Sequence, residues 1–115
     1  MAARWKVTVR YGSDVSREGF DDLGEAISYA EKATDEVLGD APLDTVKAFR
    51  DYTPDQLVKA RIEITGKGLI SPPTAGLDIQ GDGGVIGFTG GVRRKPIEAK
   101  TRKQVFASIR QALEQ

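Results

Sequence analysis

The side chains that do most enzyme chemistry are missing from this chain. Its 115 residues include no histidine and no cysteine. Zinc sites built on thiolates or imidazoles, cysteine nucleophiles and serine–histidine relays are therefore excluded. Carboxylates, lysine, tyrosine and serine are what is left. Asp21, Asp22 and Glu25 offer the oxygen donors that a hard cation such as Mg²⁺ takes. The same three residues open an apolar-periodic stretch, where helix capping accounts for them without a ligand. Asp78 and Asp82 flank a turn, a favoured place for aspartate. Glu31, Asp35 and Glu36 read as the wet face of a helix. None of these groupings forms a catalytic pair, so the expectation is a protein that is not an enzyme and that carries no metal or cofactor. A carboxylate-based, metal-dependent hydrolase ranks a distant third among the readings.

A second chemistry-bearing stretch is GDGGVIGFTGGVRRKP, residues 81–96. A phosphate loop needs Lys-Ser or Lys-Thr straight after its last glycine, and Val92-Arg93-Arg94 stands there instead. The dinucleotide pattern fails because Ile86 occupies the place of its third glycine. Turn glycines in a hairpin explain the stretch better. The cations that follow are harder to dismiss. Arg93, Arg94, Lys95, Lys100, Arg102 and Lys103 face a single Glu98 between positions 93 and 103. Arg102 and Lys103 fall in the first turn of the last helix, where the helix dipole disfavours positive charge. An anion above that turn would answer both the cations and the free N–H groups. These six residues are the candidate anion or nucleic-acid site, weighed against an ordinary solvated loop and helix face.

Lys100-Thr101-Arg102-Lys103 and the closing Ala112-Leu113 resemble the last helix of double-stranded-RNA-binding domains. In that family a three-stranded sheet precedes a helix that opens with a Ser-Lys-Lys-like stretch. The resemblance implies contacts with phosphates and 2′-hydroxyls rather than base reading. It is confined to residues 100–113. The helix is one residue short of the family's span, Val105–Ile109 lacks its alanine spacing, and nothing upstream matches, so the chain is not assigned to that family.

Composition narrows the remaining classes. Formal net charge is zero, but the charges are unevenly spread. Residues 13–55 hold twelve acidic side chains against four basic ones, and residues 56–115 hold ten basic against five acidic. An isoelectric point near 6.3 is low for a dedicated nucleic-acid binder, and no aromatic set is available for stacking bases. Phe88 and Phe106 are expected in the core. No apolar run reaches the ~20 residues of a membrane span. MAARWKVTVRYG has no apolar signal core, which together with the absent cysteines points to a cytoplasmic setting.

The elements that must position these residues are legible from periodicity. WKVTVRY alternates, with Trp5, Val7, Val9 and Tyr11 on one face and Lys6, Thr8 and Arg10 on the other, as in a half-buried strand. Val15–Phe20 reads as a short return strand. Asp22 caps a helix whose stripe is Phe20, Leu23, Ala26, Ile27, Ala30, Val37 and Leu38, with Gly39 as its stop. Residues 40–57 favour further helix, with a strand over Val46–Tyr52 as the alternative. Val58–Thr65 alternates again, and 77–80 with 85–89 form a hairpin in which Gly87 marks a bulge or a close approach. Thr101 and Gln104 make a capping box for a last helix buried through Val105, Phe106, Ile109, Ala112 and Leu113. The expected fold is one α+β domain over residues 1–115. It has a single antiparallel sheet of about four to five strands with two main helices on one face, in the order β-β-α-(α)-β-β-β-α. The function expected first is a non-enzymatic interaction module, using opposed acidic and basic surfaces to bind a protein partner or a second copy. Binding of nucleic acid or a phosphate ligand through the basic cluster is the alternative.

Overall fold

Alternation of apolar and polar residues sets up one sheet with two unlike faces. The computed structural model describes residues 4–38, 58–67, 72–80, 85–90, 94–97 and 101–114. The expected Gly39 stop, the 40–57 segment and the 81–84 turn lie outside these residues, as do Arg93, Glu98 and Lys100. Strands β1 (Trp5–Tyr11), β2 (Asp14–Phe20), β3 (Val58–Gly66), β4 (Thr74–Gln80), β5 (Val85–Thr89) and β6 (Lys95–Pro96) form one antiparallel sheet in the order β2-β1-β3-β4-β5-β6. The fold is α+β, as expected. The sheet is wider than expected because the chain leaves β5 through the two-residue β6 before entering the last helix.

Helices α1 (Leu23–Leu38) and α2 (Arg102–Glu114) both pack on the face that carries Val7, Ala60, Ile62, Ile64, Ala75, Leu77 and Ile79. Ile62, Ile64, Leu77, Ile79 and Ile109 are each at most 1% exposed. Burying such a side chain contributes about 1.5–3 kcal/mol. On α1 the stripe holds through Ala26, Ile27, Ala30 and Val37. The gap between Ala30 and Val37 is filled by the fully buried Thr34, which the hydrophobic pattern passes over. Its hydroxyl donates to the Ala30 carbonyl at 2.8 Å, and that bond is what lets a polar residue sit in the core.

The helix starts behave as read. The Ala26 amide bonds the Asp22 carbonyl at 3.1 Å, so α1 opens just after Asp22. The Thr101 hydroxyl accepts the Gln104 amide at 3.1 Å and caps α2. Gly87 is a close approach, of side chains rather than backbone. A Cβ there would come within 2.7 Å of Val105 Cγ1 and 3.1 Å of Ile97 Cδ1. The missing side chain therefore lets α2 settle against β5. Among the described residues no helix is long and apolar enough to cross a membrane.

Candidate functional site: the open face of the sheet

No described element covers the second face of the sheet, and its cross-strand rows follow from register. One row runs Val15, Arg10, Arg61, Asp78, Ile86, and the next runs Arg17, Thr8, Glu63, Gly76, Phe88, Pro96. Residues directly opposite in antiparallel strands hold their Cβ atoms about 4.5–5.5 Å apart, and diagonal neighbours sit about 7–8 Å apart. Each row therefore acts as a string of contacts drawn from distant parts of the sequence.

The centre of this face buries one large side chain apart from the main core. Phe88 is only 4% exposed, yet it points away from both helices. It lies over Gly76, where an added Cβ would strike the Ile62 carbonyl and come within 2.9 Å of the Glu63 Cα. Two guanidinium groups cover the ring, Arg94 Cζ at 5.0 Å and Arg61 Cζ at 5.9 Å from its centroid. Each is held by a carboxylate. Arg61 donates through Nε to Asp78 Oδ1 at 2.6 Å and through Nη2 to Oδ2 at 3.1 Å. Arg94 Nη2 reaches Glu63 Oε2 at 3.2 Å. The forked Arg61–Asp78 pair is the stronger of the two, with side chains 25% and 15% exposed. Asp78 is thus a mid-strand ion-pair partner rather than a turn residue. Phe88 is buried as expected, but under cations instead of in the main core.

Beside this balanced cluster lies an unbalanced one. Lys6, Arg10 and Arg17 are exposed, and none of them makes an ion pair with a described residue. Arg17 is diagonal to both Lys6 and Arg10, and Arg10 is directly opposite Arg61. Like charges so placed repel. Asp78 offsets Arg61, which leaves Lys6, Arg17 and Arg10 as a surplus stripe facing solvent. Sequence reading missed this stripe because its members come from two strands and because Arg17 lies in the most acidic part of the chain.

Of the six cations singled out from sequence, four are described and they are dispersed. Arg94 covers Phe88 on the open face. Lys95 pairs with Thr89 across the β5–β6 ladder, and alternation sends it to the opposite side of the sheet from Arg94. Arg102 and Lys103 begin α2 in the helix layer. Arg102 Nη1 contacts Asp35 Oδ1 at 2.6 Å, so α1 itself supplies an anion near that turn. Their groove, of about 420 Å³ between α1 and α2, carries both signs of charge. Glu31 and Asp35 face Arg102, Lys103 and Arg110 over Ile27 and Phe106. The helix layer is therefore close to neutral, and the surplus positive charge lies on the sheet. Among the described residues, no three carboxylates come together as a metal site.

A second groove, of about 270 Å³, runs between β2 and α1 on the helix side. Val9, Tyr11, Tyr29, Ala33 and Val37 line it, with Ser16 and Glu36 at its edge. Comparison with known protein families, with curated proteins and with solved structures gives no match.

Proposed function

We propose that the protein is a non-enzymatic binding module that docks an acidic protein surface on the open face of its sheet. The observation that carries this reading is the stripe of exposed Lys6, Arg17 and Arg10 without a carboxylate partner among the described residues. Arg17 is held about 7–8 Å from both Lys6 and Arg10 across the β1–β2 ladder, and like charges so placed repel at some cost to the fold. An acidic partner turns that cost into attraction, speeds encounter and selects against basic surfaces. A second copy of the chain is one such partner, since α1 exposes Glu25 and Glu36, which make no ion pair with a described residue. Nucleic acid fits less well. The one aromatic side chain of this face in the described rows, Phe88, is buried under guanidinium groups, whereas single strands bind by stacking on exposed rings.

The test is fluorescence anisotropy with labelled polyglutamate, alongside light scattering of the protein alone, each at low and high salt. Polyglutamate is expected to bind at low salt and to be released at high salt. An Arg10→Glu/Arg17→Glu variant should lose roughly tenfold or more in affinity. The reading fails if the variant binds as tightly as the parent. It fails equally if an oligonucleotide binds and polyglutamate does not.

A further inference from the structure

The stripe adjoins a strand edge, and this specifies the shape of the partner. Among the described residues strand β2 ends the sheet, and no described strand pairs with its outer N–H and C=O groups. It is seven residues long, whereas the strand at the other edge, β6, has two. An unpaired edge of that length is a template for an added strand. The two sides of β2 would then impose opposite chemistry on alternate residues of the newcomer. On the open side, a residue facing Arg17 meets positive charge from Arg17, with Arg10 and Lys6 one strand further in. On the helix side, a residue facing Ser16 reaches past a small side chain into the groove over Val9, Tyr29 and Val37. That groove is flanked by Asp14, Glu18 and Glu36, so an acidic residue is repelled there and an apolar one is accommodated.

Self-pairing of β2 is disfavoured by its own charges in the central registers, which pair most of the strand. A twofold antiparallel pair keeps like faces together, so open-side residues meet open-side residues. Centring the pair on Arg17 sets Arg17 against its own copy. Centring on Ser16 sets Asp14 against Glu18, and centring on Glu18 sets two glutamates together. Like charges directly opposite destabilise each of these registers.

We propose that β2 accepts, as a seventh strand, an extended peptide in which acidic residues alternate with aliphatic ones. The acidic side chains lie on the Arg17 stripe and the aliphatic ones enter the β2–α1 groove. The proposal rests on the open face being an acid-binding surface, and adds to it backbone pairing and a side-chain pattern.

The experiment titrates labelled peptides about as long as β2 into the full chain. The parent peptide alternates Glu and Val, a control alternates Lys and Val, and two further versions carry backbone N-methyl groups on one or the other alternating set. The Glu-Val peptide is expected to bind, and the Lys-Val peptide is not. One N-methylated version should bind like the parent. The other should lose about tenfold or more, the effect of two or three forfeited hydrogen bonds. Arg17→Glu should weaken binding, and Ser16→Trp, which fills the groove, should weaken it without altering polyglutamate affinity. Equal binding by both N-methylated versions, or none by the Glu-Val peptide, overturns strand addition. If polyglutamate still binds in an Arg10- and Arg17-dependent way, the broader acid-binding reading survives that failure. If it does not, both fall together.

Discussion

The two faces of this sheet solve the same packing problem with different materials. On the covered face Ile62, Ile64, Leu77 and Ile79 meet the apolar stripes of α1 and α2. On the open face Phe88 is excluded from water by Arg61 and Arg94, each tethered to a carboxylate. The first arrangement is dry and carries no charges for salt to screen. The second buries a ring with groups that remain charged and partly wet, so a surface can be firm at its centre and still present cations at its margin.

This contrast can be broken or sharpened by substitution. The largest effect is expected on the covered face, where Leu77→Ala should lower stability by about 2–5 kcal/mol in urea unfolding. Phe88→Ala should follow at about 2 kcal/mol or more, less than a full core truncation because water and the two guanidinium groups can refill the site. A loss below ~0.5 kcal/mol, the range of ordinary surface changes, would show that the open face has no core of its own. Asp78→Asn should cost about 1–2 kcal/mol, through loss of the forked pair and exposure of Arg61 to Arg10. That cost should shrink as salt is raised. The smallest effect is expected at the exposed Arg102–Asp35 contact, where Arg102→Ala should change stability by no more than about 0.5 kcal/mol.

Sequence periodicity carried much of this architecture. Trp5–Tyr11 and Val58–Thr65 alternate cleanly enough to assign both their faces, and the Thr101 cap places the last helix. Strand order is different, because no local pattern says that β1 lies between β2 and β3. Arg10, Arg17 and Arg61 become neighbours only through that order. Contiguity misleads in the opposite way at Arg94 and Lys95. They adjoin in the chain, but strand alternation separates them across the sheet, and Pro96-Ile97 then leads the chain back under α2. Asp78 and Phe88 depend on register for the same reason. An aspartate near glycines reads as a turn residue until its cross-strand partner proves to be Arg61.

The charge pattern shows a similar limit. Counted along the chain, acidic and basic residues separate into blocks, yet folding lays acidic α1 beside basic α2. It also moves Arg17 from an acidic block onto a basic face. Surplus charge is thus a property of the sheet surface rather than of any segment of sequence.

The account turns on where an acidic partner touches the molecule. Amide chemical-shift mapping with unlabelled polyglutamate at low salt tests this most directly. The account predicts that the largest shifts fall on Lys6, Thr8, Arg10, Arg17 and Arg61, with Thr101–Gln104 at the start of α2 left nearly unmoved. Shifts concentrated at Thr101–Gln104, or spread evenly over both faces, would contradict it.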